Sequence, residues 1–570
     1  MLVTRIIRVI YMKRIAKAVL SLIGMCVAGN ANAAIVINEA MPSNLSTYMD
    51  MSTYEYTPWI EVFNSGETAV NLKGYTLRYT THEDGLVKEA TIAFDCSIEG
   101  GAYKLLFMDK ADQKNHVGFK LDADGGDLVL LDAAGKTISS LNIPDICAYV
   151  SYGVGESANG YMMPTPGKAN STAFASANLA EFQKTAQCAV PVFSKKAGAY
   201  HDIDTLKTTI TCATTGAKIY YTTDGSIPTK EKGILYEGEI KMTKPSVIRA
   251  RAYASDMVYS PIVTASYIFN SKNHKWCSSL NKLPIVSIVT AKENLDDPTI
   301  GIATKGSNGT DGACGTTRAN YNQDWKRPMN FEYIVDGQAV INQEVEAKVM
   351  GGCSRSHETK SFSLSTSKKC GSGMNKMKYP FFKSKPSIKK FKSLHLRNGG
   401  NDFDGLRFRD GFMQSIIQGE NIDYQAYQPV GYFLNGHYEG LMLLNEHTNE
   451  DYLYSNYDLD DEEIDLIKIT KEINVSNGTI DAYDKLIEEA QSGQNTPGYY
   501  EKMSKLMDMD EYMTYMAFEQ YLVNTDWPGN NNKLWRHNKG GRFRWILYDT
   551  DFGFGLFEGW GPNYTSYTTD

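Results

Sequence analysis

The chain has 570 residues, of which 42% are hydrophobic and 22% are charged, and its formal net charge is −8. This length is too great for one domain and predicts three or four folded units. The ordinary balance of hydrophobic and charged residues argues against long disordered stretches. The negative charge argues against nucleic acid or an anionic membrane as a partner, so we expect no nucleic-acid binding.

The N-terminus has the three parts of an export signal. Residues 13–17 contain three basic side chains, and the short apolar stretch 19–28 follows them. Ala31-Asn32-Ala33 is a cleavage site of the A-x-A kind, so residues 1–33 are predicted to be a signal peptide that begins with an upstream start artefact. The apolar stretch is far shorter than the roughly 20 residues of a membrane span, so we predict no transmembrane anchor. The protein is therefore expected in the periplasm, on the cell surface or outside the cell.

The cysteine content fits an exported protein. Nine cysteines are present, and eight remain once Cys26 leaves with the signal. An even number of cysteines in an exported chain predicts disulfide bonds, with a connectivity that the spacing leaves open. The absence of any C-x-x-C pair argues against a zinc site or a thioredoxin-like site.

Residues 34–170 predict a β-sandwich, because short apolar runs alternate with turns throughout the segment. Four runs resemble the lamin-tail domain family, namely I-N-E-A at 37–40, W-I-E-V-F-N at 59–64, L-K-G-Y-T-L at 72–77 and P-T-P-G-K-A-N at 164–170. The resemblance implies an immunoglobulin-like sandwich that serves for binding or spacing. Glu39 and Glu61 lie in these runs, and we interpret them as architectural carboxylates, not as a catalytic pair.

Residues 189–270 predict a second β unit. A strand runs into an Asp-Gly turn within 217–228, and a second strand follows. The segment resembles the chitobiase/β-hexosaminidase C-terminal domain, a sandwich that accompanies carbohydrate-active and surface proteins. The resemblance implies a module for glycan or a surface protein. Tyr220, Tyr221 and Tyr253 have the chemistry to stack on sugar, but we favour core positions or cross-strand pairs for them.

After a predicted linker at 271–282, residues 283–570 predict an α+β domain with the parts of a phosphotransferase. Transfer of a phosphoryl group from ATP needs a lysine on the phosphates, an aspartate at the acceptor hydroxyl, and an asparagine and a second aspartate on Mg²⁺. Asp526 and Asn531 have the D-x-x-x-x-N spacing of a kinase catalytic loop. The preceding segment has apolar residues at helical spacing, namely Met509, Met513, Met516, Ala517 and Tyr521. The loop is therefore predicted to follow an amphipathic helix that ends near residue 524.

The second metal-binding carboxylate is expected after the next strand. Residues 544–553 read R-W-I-L-Y-D-T-D-F-G and predict a strand that leads into a D-F-G sequence. A carboxylate just past the end of a buried strand is well placed to bind Mg²⁺, and both Asp549 and Asp551 meet this description. The D-F-G spelling favours Asp551.

The whole of 283–570 resembles the CotH (spore-coat protein H) kinase family. Five segments carry the resemblance, namely residues 320–328, 351–362, 395–402, 407–410 and 429–446. The last of them is predicted to be a hairpin, because Asn435-Gly436 is a type I′ turn signal. The resemblance implies an atypical protein-kinase fold preceded by two immunoglobulin-like β-sandwiches.

The resemblance also implies roles for residues of the N-terminal half of this domain. Lys360 is expected to anchor the nucleotide phosphates from a strand, and Arg355 of the same segment is expected to contact the nucleotide. Glu446, at the end of the hairpin, is expected either to contact adenine or ribose or to brace the lobe. Without the family context, a lysine of a surface strand is the simpler interpretation of Lys360.

In the C-terminal half, Asp526 is implied to be the catalytic aspartate and Asn531 a metal ligand. The family pattern W-x-x-x-D-x-D favours Asp549 as the second metal ligand, so we rank Asp549 ahead of Asp551 and keep both. The sequence has neither a G-x-G-x-x-G loop nor an H-R-D motif, which excludes a typical protein kinase. It also stops 19 residues after Asp551, so we expect a truncated or minimal C-terminal lobe.

These observations predict an exported atypical kinase that transfers the γ-phosphoryl group of ATP, with Mg²⁺ or Mn²⁺, to Ser or Thr of an extracytoplasmic protein. The alternative is a surface adhesin or scaffold that binds protein or glycan without catalysis, in which Asp526, Asn531 and Asp549 are replaceable. A carbohydrate-active enzyme ranks last, because residues 283–570 contain no convincing pair of catalytic carboxylates.

Overall fold

A computed structural model of the chain describes residues 35–111, 113–201, 203–270, 282–367, 374–494 and 496–556. The predicted signal peptide and most of the predicted linker lie outside the described residues. In the described part, β-sheet units precede a mixed α+β region, which confirms the predicted fold class. None of the described helices is long and apolar enough to span a membrane.

The first unit is a β-sandwich. Its elements are β1 (Ile35–Met41), β2 (Trp59–Asn64), β3 (Val70–Asn71), β4 (Thr76–Thr81), β5 (Val87–Thr91), β6 (Ser97–Ile98), β7 (Tyr103–Met108), β8 (His116–Val117), β9 (Gly126–Leu131), β10 (Thr137–Ile143), β11 (Ser151–Gly153), β12 (Gly160–Met162) and α1 (Leu179–Thr185). The sheet β12-β11-β1-β2-β7-β8 packs on the sheet β10-β9-β4-β5. Alternate side chains of both sheets, such as Ile37, Val62, Leu77 and Leu128, form one apolar core.

Glu39 and Glu61 are architectural in this unit. Glu39 accepts hydrogen bonds from Ser151 and from the backbone and hydroxyl of Thr165. Glu61 accepts hydrogen bonds from Asn38 and from the backbone of Gly167. The two carboxylates therefore fasten the closing segment of the domain to its central strands, and burial raises the pKa of Glu61 to about 7.

The second unit is smaller and also β-rich. Its strands are β13 (Val192–Phe193), β14 (Gly198–Tyr200), β15 (Leu206–Thr208), β16 (Ile210–Thr211), β17 (Lys218–Thr222), β18 (Ile234–Leu235), β19 (Ile240–Met242), β20 (Ser246–Tyr253) and β21 (Val263–Phe269). The rings of Tyr220 and Tyr253 meet edge to face at 5.6 Å between β17 and β20. This contact confirms the cross-strand interpretation for these two tyrosines.

The third unit begins with a seven-stranded barrel. Its elements up to residue 446 are β22 (Ile285–Val289), α2 (Lys292–Asp296), β23 (Arg327–Val335), β24 (Gln338–Met350), β25 (Ser361–Ser365), β26 (Ser393–Arg397), α3 (Arg409–Ile416), β27 (Asp423–Tyr424), β28 (Tyr427–Leu434) and β29 (His437–Glu446). The order β24-β23-β22-β28-β29-β26-β25 closes on itself, because β25 also pairs with β24. Alternate residues, such as Phe362 and Leu364 of β25, fill the interior.

A helical region with a second sheet follows the barrel. Its elements are α4 (Glu450–Tyr457), β30 (Ile464–Ile469), β31 (Ile473–Asn477), α5 (Asp481–Ser492), α6 (Tyr499–Leu506), α7 (Met509–Leu522), β32 (Asn532–His537) and β33 (Arg544–Leu547). The sheet has the order β27-β33-β32-β30-β31. Apolar residues of α5, α6 and α7 pack on β32 and β33 and form a separate core.

The helix predicted before the D-x-x-x-x-N loop is confirmed, but the prediction of its buried face is wrong. Met513 and Tyr521 are exposed, whereas Tyr515 and Leu522 are buried. The buried face also contains Glu511 and Glu519, whose carboxylates accept hydrogen bonds from the backbone of Trp545 and from Asn524. A pattern based on apolar residues alone misses a face that buries hydrogen-bonded carboxylates.

The second unit and the barrel share one continuous sheet. Strand β14 pairs with β21 on one side and with β24 on the other, through Gly198 and Gln338. Gly198 permits this approach, because a Cβ atom there would lie 2.2 Å from the carbonyl oxygen of Gly337. A buried ion pair between Arg249 and Glu344 at 2.7 Å joins the same two units. The second unit is thus an extension of the barrel wall.

Glu332 on β23 is fully buried at this junction, where it accepts hydrogen bonds from the backbone of Ser266 and from Asn342. Burial raises its pKa from 4.5 to about 7. Because the folded state binds this proton more tightly than the unfolded chain does, the stabilisation is complete below pH 4.5 and is lost as the pH rises through about 7. We expect Glu332→Gln to gain about 2 kcal/mol of unfolding free energy relative to wild type between pH 5 and pH 8.

Urea unfolding at both pH values measures this difference. The exposed Glu358 provides a surface control in the form of Glu358→Gln. An equal difference between wild type and Glu332→Gln at the two pH values would contradict the prediction.

The first unit also contacts the barrel. The guanidinium of Arg327, at the start of β23, is fully buried and donates hydrogen bonds to the carbonyls of Tyr54 and Ile300. The ring of Tyr54 lies 4.9 Å from that of Trp325. This contact fixes the first unit beside the segment that enters the barrel.

Candidate active site

A cleft of about 610 Å³ lies between the barrel and the helical region. Barrel side chains, including His395 and Arg397 of β26, line one wall. The opposite wall is formed by the loops that precede β32 and follow β33 and by Lys468 of β30. The segment after β29 connects the two walls at His447 and Thr448. The cleft therefore lies where two separately packed cores meet.

The cleft brings together three of the predicted site residues: Asp526, Asn531 and Asp549. Asn530 and Asn531 each donate a side-chain hydrogen bond to Oδ2 of Asp526, at 2.9 and 2.8 Å. Nδ2 of Asn531 also lies 3.3 Å from the carbonyl oxygen of Asp549. Burial raises the pKa of Asp526, and the nearby charge of Asp549 adds to this effect. The D-x-x-x-x-N loop and the carboxylate after β33 thus form one constellation.

Asp549 and Asp551 occupy different environments. Asp549 lines the cleft with about a third of its side chain exposed. Asp551 is 1% exposed and accepts a hydrogen bond from the backbone of Asn401 at 3.0 Å. Burial, with the charge of Asp549, raises the pKa of Asp551 to about 7. Of these two aspartates, Asp549 is the one that lines the cleft.

Arg397, to which the motifs gave no role, organises these carboxylates. Its guanidinium lies 2.7 Å from Asp410, 2.6 Å from Asp549 and 3.6 Å from Asp551. Burial lowers the pKa of Arg397, but the three carboxylates raise it by more, so the guanidinium stays positively charged. Asp410 in turn accepts hydrogen bonds from the backbone and the hydroxyl of Thr550, both at 2.9 Å. The orientation of Asp549 therefore depends on β26 and α3.

The donor set fits a hard divalent cation. Asp526, Asn531 and Asp549 offer two carboxylates and one amide oxygen, and Mg²⁺ typically takes one or two carboxylates and completes its shell with water and substrate phosphates. Among the described residues, no group of three or more His, Cys, Asp or Glu side chains is arranged to hold a metal. A cation at this site would therefore complete its shell with water or with the oxygens of a ligand.

Lys360 does not line the cleft. Its ammonium donates hydrogen bonds to the carbonyls of Arg355 and His357, at 2.8 and 2.7 Å, and lies 4.1 Å above the ring of Tyr321. Burial lowers its pKa to about 8. Lys360 directly precedes β25, so the predicted strand is present but the side chain caps the preceding turn. Its phosphate-anchoring role remains a prediction that this geometry does not favour.

Arg355 and Glu446 also lie outside the cleft lining. Arg355 binds Asp324 and the carbonyl of Asn322, both at 2.8 Å. Glu446 is 2% exposed and forms a 2.7 Å ion pair with Lys385. Its contacts match the bracing alternative, and nucleotide contact by either residue remains a prediction.

Two lysines that the motifs did not single out face the cleft. Lys533 of β32 lies directly opposite Lys468 of β30 in the sheet. Nζ of Lys533 donates to the carbonyl and the hydroxyl of Thr448 and lies 4.3 Å from the ring of Tyr548. Burial is the main cause that lowers the pKa of Lys533 to about 7. The signal in the sequence that could have identified Lys533 is its position two residues after Asn531.

A disulfide bond lies at the rim of the cleft. Cys314 pairs with Cys353, and both residues line the cleft; the sequence predicted disulfide bonds without any particular pairing. Four other described cysteines are free, namely Cys96, Cys147, Cys188 and Cys212. Cys277 and Cys370 lie outside the described residues.

Comparison with protein families agrees with the order of the three units. Residues 347–569 match the family model described as CotH kinase protein. Residues 195–264 match the chitobiase/beta-hexosaminidase C-terminal domain, and residues 28–145 match the Lamin Tail Domain. These three families are the ones that the sequence motifs predicted.

Other comparisons add little. No curated protein matches the chain. A solved structure of fibronectin(III)-like modules of Clostridium thermocellum CbhA is 12% identical and covers 39% of this chain and 88% of its own. Its TM-score is 0.13, so this likeness carries no structural argument.

Proposed function

Because residues 347–569 match the CotH kinase family model, we propose that the protein is an atypical kinase that transfers the γ-phosphoryl group of ATP to Ser or Thr of another protein. The observation that carries this proposal is the convergence of Asp526, Asn531 and Asp549 on one cleft between the barrel and the helical region. These are the residue types that position an acceptor hydroxyl and hold a metal–nucleotide complex.

The proposed reaction assigns a role to each group. The acceptor hydroxyl gives its proton to Asp526 as its oxygen bonds to the γ-phosphorus, and the bond to the β-phosphate oxygen breaks so that ADP leaves. Asn530 and Asn531 orient the Asp526 carboxylate through their side-chain amides. Asn531 and Asp549 would hold Mg²⁺ or Mn²⁺, which supplies positive charge next to the phosphates. Arg397 keeps Asp549 turned toward the cleft.

The substrate and the compartment belong to the proposal as well. The predicted export signal at residues 1–33 favours an acceptor protein outside the cytoplasm. The two β units are packed against the barrel, so a partner bound by either of them would be held at a fixed distance from the cleft. A glycan or surface-protein partner for these units is proposed on the domain resemblance alone.

Incubation of the protein with γ-labelled ATP and Mn²⁺ or Mg²⁺ tests the proposal. We expect metal-dependent label on the protein itself or on an added acceptor protein. Asp526→Asn is expected to lower this rate by at least about 100-fold, because a general base typically contributes 10²–10⁴-fold. Asp510→Asn, at an exposed position of α7, is the matched control and should retain the wild-type rate. Absence of both labelling and metal-dependent nucleotide binding by the folded protein would favour the adhesin alternative.

A further inference from the structure

In the part of the chain that the structure describes, the two lysines of the cleft have no carboxylate at ion-pair distance, and the charges of Asp549 and Glu450 act on Lys533 only from farther away. Lys533 is 9% exposed, and its ammonium donates hydrogen bonds to the neutral groups of Thr448 and lies against the ring of Tyr548. In the described part of the chain, neither Lys533 nor the half-buried Lys468 forms a salt bridge with a carboxylate. A buried ammonium without a partner of opposite charge is costly, and proteins rarely keep one without a use.

The position of the pair increases this cost. Lys468 and Lys533 are directly opposite each other on β30 and β32, and like charges directly opposite in a sheet are destabilising. Both side chains line the same cleft. An anion that entered the cleft would relieve the repulsion and give both ammonium groups a partner.

The other basic groups of the cleft cannot serve an anion equally well. The guanidinium of Arg397 is already engaged by Asp410 and Asp549. The rings of His395 and His447 lie 4.0 Å apart, and burial lowers the pKa of each, to about 3 for His447, so both rings are neutral at pH 7. Among the cleft residues that the structure describes, Lys468 and Lys533 are the basic side chains left for an anion.

The acidic side chains of the cleft indicate which kind of anion could bind there. Asp526 and Asp549 line the same cleft and would repel a lone anion, unless that anion arrived with a cation between it and the carboxylates. A polyphosphate chelated to a divalent metal satisfies both requirements, because its phosphates meet the lysines and its metal meets the carboxylates and Asn531.

We propose that Lys533, with Lys468 beside it, anchors the phosphate chain of the nucleotide in this cleft, the role that the motif resemblance gives to Lys360. The inference rests on the proposed kinase function for the identity of the nucleotide. It differs from the motif-based assignment because Lys360 directs its ammonium at two carbonyls outside the cleft lining. Lys360 and Lys533 are both buried, and both donate hydrogen bonds to backbone carbonyls. The two assignments can therefore be compared with matched substitutions.

Isothermal titration calorimetry of the full chain with Mn²⁺ and AMPPNP, and separately with adenosine, tests the proposal. Lys533→Met is expected to weaken AMPPNP binding at least tenfold while adenosine binding changes by less than twofold. Lys468→Met, which alters a half-buried position and is the safer variant for folding, should weaken AMPPNP binding at least threefold. Lys533→Arg, which keeps the charge, should recover most of the loss. Lys502→Met, at an exposed position of α6, is the surface control.

Two results would overturn the inference. One is a loss of AMPPNP affinity in Lys360→Met with wild-type affinity in both Lys533→Met and Lys468→Met. The other is an equal loss of adenosine and AMPPNP affinity in Lys533→Met, which would mean that Lys533 only shapes the segment at Thr448. Inorganic tripolyphosphate with Mn²⁺ separates this inference from the kinase proposal. If tripolyphosphate binds in a Lys533-dependent way but no nucleotide binds, the anion site is supported and the kinase proposal is contradicted. If neither tripolyphosphate nor nucleotide binds, both proposals are contradicted.

Discussion

Replacement of Asp549 by asparagine is expected to abolish most phosphoryl transfer, with a loss of at least about 100-fold in rate. The substitution keeps the size of the side chain but removes the negative charge that the cleft offers to a cation. It also weakens the 2.6 Å contact with Arg397, so the side chain would no longer be held toward the cleft. Rates measured over a range of Mn²⁺ concentrations should show that added metal recovers part of the loss.

Asp551→Asn is the matched comparison. Asp551 is almost completely buried and its carboxylate accepts hydrogen bonds from Asn401, so an amide of the same shape should leave the metal dependence of the rate nearly unchanged. If Asp551→Asn raises the Mn²⁺ requirement while Asp549→Asn does not, the metal ligand is Asp551 and the D-F-G spelling identifies it correctly.

Arg397→Met is expected to cause the largest loss of stability of any single substitution near the cleft, about 3–5 kcal/mol. Methionine fills much of the volume but leaves Asp410 and Asp551 buried without a cation, and removal of one partner from a buried ion pair is costly. Urea unfolding followed by tryptophan fluorescence measures the effect, because Trp527 and Trp545 lie in the core of the helical region and Trp535 is buried in a smaller apolar cluster beside α4.

A double variant provides the control for this prediction. In Arg397→Met with Asp410→Asn, the amide oxygen at position 410 can still accept the hydrogen bonds from Thr550, and one unpaired charge is gone. The double variant is expected to be more stable than Arg397→Met alone by about 1 kcal/mol or more, since groups in one ion-pair network are not additive. A loss below 1 kcal/mol in Arg397→Met would show that water reaches the three carboxylates in the folded protein.

Local features of the sequence predicted the elements well. Asn435 and Gly436 adopt positive φ angles of 48° and 83°, as the predicted type I′ turn of the hairpin requires. The strand at Arg544–Leu547 leads into the segment that contains Asp549 and Asp551, as expected. The closure of the barrel was not predictable, because it depends on β25 pairing with β24 as well as with β26. A local sequence pattern does not specify which distant strand β25 pairs with.

The site was predicted in part, and the errors have a common cause. Spacing within one loop identified Asp526 and Asn531, which the structure brings into the cleft. The assignment of Lys360 followed a motif, but its direction depends on the turn before β25, where two carbonyls bind its ammonium. Arg397 is linked to the cleft through Asp549, 152 residues away, and Lys533 contacts Thr448, 85 residues away. A single sequence gives no sign of such partners.

The shared sheet between the second unit and the barrel has a consequence for the biogenesis of the protein. Gly198 is made before Gln338, its pairing partner, and the intervening chain must be synthesised before β14 gains its second neighbour. Until then β14 is an open edge with free backbone hydrogen-bonding groups, and such edges invite pairing with other chains. A nascent chain interrupted within this interval would therefore be prone to aggregate, even though its first two units are already complete in sequence.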